Sequence, residues 1–460
     1  MALTDTKNAK RTLAPALLLR LRRRAGEWLD GEHSLTQRMA GTAFAIRVAS
    51  AGIMFGSQVL LARWMGSAEF GTYVYVWTWL ILLGDLVHLG VPLTAQRFVP
   101  EYTQGNAFDL LRGYLAGSRW ITFLMGTVAA AIGALIVRAI ETSLDSRVIM
   151  PFYLACAALP FYAFTFMLDG LARSYNWINL ALLSPYVVRP LTVIACLAAL
   201  RAACFTIDAT TAMAVLAGAI WLTALIQLLR LDRRLKSVVA PGRRTYDFRL
   251  WLGTALPIIL VWGMYTLLTS TDVLVLKQFR PAEDVAHYYA AAKTLALVSI
   301  IHFAVAATAA HRFTAYHVAG DRAGLAAFTA ETVRWVFWPS LVACLLVIAL
   351  GRPVLMLFGE GFVAGYPVIA ILAVGQLARA SIGPAERLLN MVGQQRICAL
   401  AYATAFTVNI AGCVLLAPAY GGVGAAGATA AAFIVESVLL YSIARRSLGL
   451  HMFVWRPRQR

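Results

Sequence analysis

Twelve stretches of about twenty largely apolar residues follow one another along this chain, near 40–62, 72–94, 120–140, 149–168, 180–202, 210–230, 250–272, 287–310, 335–350, 366–384, 397–418 and 424–444. Each is long enough, or nearly so, to cross about 30 Å of hydrocarbon as a helix. In hydrocarbon every backbone N–H and C=O must be paired internally, so an apolar run of this length has one regular solution, the α-helix. The chain is 60% hydrophobic and 13% charged, against about 25% charged in soluble domains. One soluble core cannot hide that much apolar surface, so the chain is expected to be embedded in a membrane.

The net charge of +18 would suit a nucleic-acid binder if it were gathered on one domain. Most of the 40 Lys and Arg lie instead at alternate ends of the apolar stretches. That alternation is the positive-inside pattern of membrane topology and argues against nucleic acid as a partner. It puts both termini in the cytoplasm and leaves Arg63, Arg138, Arg147, Arg201, Lys277, Arg280 and Arg352 on the outer side. Residues 12–30 carry their arginines after a short apolar run, the reverse of a signal peptide. They are expected to lie on the cytoplasmic membrane surface, with Arg20, Arg22, Arg23 and Arg24 near anionic head groups. The six cysteines sit in or beside apolar stretches with no CxxC or Cys/His spacing, so neither disulfides nor a metal site is expected.

A polar element occurs twice. Arg97-Phe98, Gly105, Leu110 and Arg119-Trp120 recur with unchanged spacing as Arg312-Phe313, Gly320, Leu325 and Arg334-Trp335. Both copies follow the second apolar stretch of a set of six, so the chain reads as a tandem duplication of a membrane unit. Six spans per unit give both copies the same orientation. The expected fold class is therefore all-α integral membrane, with twelve transmembrane helices in two six-helix lobes. The segments are 1–38, a basic cytoplasmic N-terminal segment; 39–230, the N-lobe; 231–249, a basic cytoplasmic linker; 250–446, the C-lobe; and 447–460, a basic tail. The linker suits either a topology determinant or a lipid-phosphate patch.

Ionisable groups inside spans cost roughly 2.5–3.5 kcal/mol each on insertion scales, so they face the protein interior or a wet cavity. The candidates are Arg47, Asp85, His88, Arg189, Asp272, Lys293, His302 and Glu436. Arg47, Arg189 and Lys293 are candidates for an anionic substrate, because fixed cations can bind phosphate and arginine keeps its charge when desolvated. Asp85, His88, Asp272, His302 and Glu436 are candidates for ion coupling or gating. Asp272 and Lys293 could also be a salt bridge pinning spans seven and eight. Pro92, Pro160, Pro185, Pro190, Pro257 and Pro339 are expected to bend their helices. No P-loop, catalytic triad or metal-ligand set is visible, so neither an enzyme nor a bound cofactor is expected.

The order LLARWMGSAEFGTY, an apolar span, then RFVPEY with a Gly-Asn turn resembles the Wzx-like polysaccharide transporters. These are oligosaccharide flippases of the multidrug/oligosaccharidyl-lipid/polysaccharide exporter superfamily. The second half agrees, with TDVLVLKQF, AEDVAHYYAAAK, GRPVLMLFGEGF and Tyr420-Gly421-Gly422-Val423-Gly424. The resemblance covers about residues 35–446. It implies two six-helix lobes around a central cavity and alternating access driven by a proton or sodium gradient. The implied substrate is a polyprenyl-pyrophosphate-linked glycan crossing the bacterial inner membrane toward O-antigen or exopolysaccharide. Membrane lipids and polysaccharide polymerase or chain-length proteins are implied partners. A drug or organic-cation exporter on the same fold is the alternative. A glycosyltransferase or polymerase fits poorly, because the outer loops are short.

Overall fold

A computed structural model describes residues 32–455; the side chains of 32–45, 47, 307, 310, 311 and 317 fall outside that description. The chain divides into a unit up to Ala49 and a unit from Ser50 onward. Of the first, helical backbone is described from Glu32. The expectation for residues 12–30 falls outside the described residues. So does Arg47, apart from its helical backbone.

The described chain is all-helical. Its helices are α1 (Glu32–Val87), α2 (Val91–Gln104), α3 (Phe108–Ile140), α4 (Ser146–Ser174), α5 (Ile178–Leu183), α6 (Arg189–Ala202) and α7 (Ala209–Val238). The second half holds α8 (Phe248–Leu268), α9 (Thr271–Phe279), α10 (Ala282–Ala296), α11 (Ser299–Val318), α12 (Arg322–Met356), α13 (Tyr366–Ser381), α14 (Ala385–Met391) and α15 (Gln395–Leu448). Among the described residues, nine helices are long and apolar enough to cross a membrane, or ten with the bent pair α10–α11. The chain is a multi-pass membrane protein. Large apolar side chains such as Leu135, Leu345 and Leu415 are exposed on these helices. In a bilayer that surface meets lipid, so it carries no penalty.

Two of the long helices contain a break. The backbone of α1 leaves the helical region at Gly66 (φ 77, ψ 170), and that of α15 at Gly421 (φ 56, ψ −135). Glycine adopts such angles at little steric cost. At Gly421 the two arms fold back side by side. Gly424 packs against the Leu416 carbonyl and Gly412 against Ala428, where an added Cβ would come within 2.8 Å. Asn409 Nδ2 donates to Thr429 Oγ1 across the same pair (3.0 Å). Small residues at these crossings let the backbones approach closely, the usual packing of helices in lipid.

Other spans are interrupted, two of them beside prolines expected to bend them. A turn at Leu89 and Gly90, both with positive φ, separates α1 from α2, and Pro92 opens α2 where no helical N–H is lost. Pro185 and Pro190 flank a π-helical turn, Ser184–Val188, between α5 and α6. Span seven is interrupted at Thr269–Ser270, between α8 and α9.

The duplicated element is a helix–turn–helix in both halves. Phe98 and Phe313 are fully buried near the ends of α2 and α11, while Trp120 and Trp335 are exposed on α3 and α12. The turn at Gly320 has positive φ; the first copy places that conformation on Asn106 instead. The linker is anchored to α3. Arg112 donates to the carbonyls of Arg243 (2.8 Å) and Ala240 (3.1 Å), and Arg119 pairs with Asp232 (2.5 Å). Trp251, at the start of α8, is buried against Tyr114 with ring centroids 5.1 Å apart, and its Nε1 donates to Tyr102 (3.0 Å). The first helix of the second half is thereby rooted in the first half.

Candidate functional site

Between the two halves lies a band of aromatic and charged side chains. At the end opposite the linker the halves are packed together. Phe70 of α1 meets Tyr289 of α10 (6.2 Å) and Phe362 (6.0 Å), and Phe55 meets Phe358 (5.5 Å). Arg63 donates to the carbonyls of Leu357 (2.6 Å) and Met356 (3.2 Å). These carbonyls end α12, where unsatisfied acceptors and the helix dipole favour a cation. Gly71 lies directly on the Ala282 backbone.

Toward mid-span, two cations rest on tyrosine rings, one from each half. The Arg189 guanidinium lies 5.3 Å from the Tyr162 ring centroid. Lys293 Nζ lies 4.8 Å from that of Tyr289. Tyr73, Tyr162 and Tyr186 are in electrostatic range of Arg189, and Tyr73 in turn of Tyr289. Trp77 lies beside Tyr289. The two cations therefore share one aromatic band across the boundary. Arg189 has a buried Nη1 with no hydrogen-bond partner and no ion pair among the described residues. Such a donor is costly unless a ligand or water meets it. Its helix accounts for its position, since the π-helical turn before Pro190 adds a residue and rotates the side chains that follow.

Asp85, near the end of α1, accepts from Trp262 Nε1 (3.3 Å) and Thr266 Oγ1 (3.3 Å) of α8, and thus ties the halves together. Its other oxygen is buried without a partner. His88 is turned to a local task, with Nδ1 accepting from the Gly90 N–H (3.1 Å) and capping the break after α1. His302 lies within electrostatic range of Arg379 and Arg387.

Asp272 does not form a salt bridge with Lys293. It sits at the start of α9, just after the break. Its Oδ1 accepts from the Val273 N–H (2.8 Å), and its Oδ2 from the Tyr288 hydroxyl (2.5 Å) and Thr429 (3.4 Å). Thr429 is bonded to Asn409, and Cys413 lies 3.9 Å from the Asn409 Oδ1. One carboxylate and several neutral oxygens are thus gathered from three chain segments. Lys293 remains in electrostatic range of Asp272.

Glu436 lies on the second arm of α15. It pairs with Arg379 (3.3 Å), with both side chains largely buried. The Arg379 guanidinium lies 4.8 Å from the Phe433 ring and 5.5 Å from that of Tyr265. Arg379 was not among the candidate span charges, so the pair was missed. Its place inside the apolar stretch 366–384 was the available signal.

No protein-family profile matches the chain, and no curated protein matches it in sequence. The fold has solved counterparts. An inward-facing multidrug resistance MATE family transporter of the MOP superfamily superposes with a TM-score of 0.70 at 14% identity, over 89% of this chain and 94% of that one. The lipid II flippase MurJ, in an inward closed conformation, gives 0.68 at 14% identity over 87% of each chain. A MOP superfamily transporter from Pyrococcus furiosus, described as having a binding pocket of reverse polarity, gives 0.65 at 13% identity over 89% and 96%. At these identities the likeness establishes the fold, which is that of the MATE and MurJ transporters.

Proposed function

We propose that this chain is an ion-coupled flippase that moves a polyprenyl-pyrophosphate-linked oligosaccharide across the bacterial inner membrane by alternating access. The observation that carries the reading is Arg189, a largely enclosed guanidinium with no acidic partner among the described residues, set in a cluster of tyrosines that reaches the Tyr289 ring on which Lys293 rests. A pyrophosphate–sugar head cannot cross hydrocarbon unaided. A guanidinium and an ammonium fit its phosphates, and tyrosines offer hydroxyls and flat faces to sugars. The polyprenyl tail can stay in lipid throughout. Arg47 belongs to the same proposal. The fold shared with MurJ and the MATE transporters supports it, and the breaks at Gly66 and Gly421 raise the count of spans toward twelve. With both termini cytoplasmic, 39–230 and 250–446 would be the lobes and 231–249 the cytoplasmic linker. Polysaccharide polymerase and chain-length proteins remain partners of the proposed pathway.

Coupling is assigned to Asp272 with Tyr288, Thr429 and Asn409, a hard-oxygen set suited to a proton or a sodium ion. Asp85 and the Arg379–Glu436 pair are the second tier. The test is surface glycan in cells carrying Arg189→Ala at wild-type protein level. A fall of about 10-fold or more is expected, matching the ~1.5–3 kcal/mol of a hydrogen bond to a charged group. Normal glycan would remove Arg189 from transport.

Asp85 beside Trp262 favours a second reading, export of an organic cation, because an acid with aromatic walls suits such a ligand. Under that reading, deletion sensitises cells to cationic dyes and leaves surface glycan intact.

A further inference from the structure

A cavity of about 390 Å³ is lined wholly by residues of the first half. It is bounded by α1 beyond Gly66 (Trp79, Leu83), by α3 (Ala129, Ile136) and by α4 (Phe152, Leu159), and no charged residue lines it. Tyr75 also borders it, with its hydroxyl already accepting from Gln278 Nε2 (3.0 Å). Gly133 keeps the space open, since a Cβ there would approach Cys156 Sγ at 3.1 Å.

Three further observations decide what occupies it. First, Ile132, Ile136 and Ile140 are exposed along α3, so the cavity adjoins lipid rather than water. An apolar space beside fluid hydrocarbon fills with it, because an empty one forfeits dispersion contacts along its whole lining. Second, the lining of α3 runs from Ala129 to Ile140, about 16 Å at ~1.5 Å per residue. That is half of a hydrocarbon core of ~30 Å, the depth of one leaflet. Third, the end near Ile140 and Leu144 is flanked by Arg138 and Arg147, two of the few cations on the side opposite the linker. Arg138 pairs with Glu141 (2.8 Å), while Arg147 is exposed and makes no ion pair among the described residues.

The geometry points to a built phospholipid site in the leaflet opposite the linker. One acyl chain occupies the cavity between α1, α3 and α4, and the phosphate lies at Arg147. The occupant is a bilayer phospholipid rather than the tail of a transported lipid, since the lining comes from one half alone and includes neither Arg189 nor Lys293. This inference goes beyond the proposed transport and does not depend on it.

The test uses the full chain in nanodiscs containing an anionic phospholipid with a photoreactive group midway along its acyl chain. Crosslinks should concentrate on the lining peptides of α3 and α4. They should exceed several-fold those on the lipid-facing surface of α15 around Leu400 and Leu415. Unlabelled phospholipid should suppress them saturably. Ala129→Phe should remove the excess, and Arg147→Gln should weaken it. Uniform, unsaturable labelling of all lipid-facing helices in the wild-type protein overturns the site, and this arm needs no variant. Suppression by a polyprenyl phosphate but not by phospholipid overturns the choice of occupant.

Discussion

Arg379 and Glu436 show how one residue's cost depends on its neighbour. Each is held among apolar helices by the other, 3.3 Å away. Removing one partner leaves a buried charge, which costs about 3–5 kcal/mol, whereas removing both can be nearly neutral. Arg379→Leu alone should therefore lower the melting temperature in detergent far more than the double substitution Arg379→Leu/Glu436→Leu. Equal losses would mean that the pair is not coupled. Asp272 belongs to a different class, since its partners are hydroxyls and an amide rather than a cation. Asp272→Asn keeps the shape and the acceptor but removes the charge. Flipping in vesicles should then persist down a substrate gradient and lose its response to an imposed proton or sodium gradient. A retained response would place coupling elsewhere.

At the scale of elements, glycines decide where helices touch and where they turn. Gly71 lies on the Ala282 backbone, with no space for a Cβ. Gly71→Val should push α1 from α10 and open the end opposite the linker. A cysteine placed at Phe70 or Phe362 should then react faster with a membrane-impermeant maleimide. Arg63→Ala, which removes two hydrogen bonds to the end of α12, should act in the same direction by a smaller amount. Unchanged labelling in both variants would show that these contacts do not hold that end shut. The prolines of the sequence marked bends beside Pro92, Pro185 and Pro190, but nothing in it marked the interruption at Thr269–Ser270. Periodicity and hydropathy report burial in lipid, and they carry little information about a break that internal packing tolerates. The break before Asp272 is such a case, whereas the π-helical turn before Arg189 lies between two prolines that the sequence had marked.

At the scale of the molecule, the halves meet along two kinds of seam. One is permanent, with Trp251 rooted between Tyr102 and Tyr114 and the linker held by Arg112. The other, at the opposite end, consists of aromatic contacts and a few hydrogen bonds, from Arg63 and Gln278, that can separate without exposing a buried charge. In the proposed alternating access the second seam opens in the outward state, with the first as the root about which the halves move. A disulfide between Phe55→Cys and Phe358→Cys should arrest transport until reduced, and one joining α2 to the start of α8 should leave it largely intact.

The sequence alone determined the solvent, the helical class, the duplication and the residues whose charge needs an explanation. These follow from local composition, because a span of twenty apolar residues has one way to satisfy its backbone in lipid. The pairing of those charges was settled only by tertiary structure. Asp272 turned to Tyr288 instead of Lys293, Glu436 to Arg379, and Arg189 meets no acid among the described residues. Which side chains meet depends on how helices rotate and break against one another, a property of the packed set that no single stretch of sequence contains.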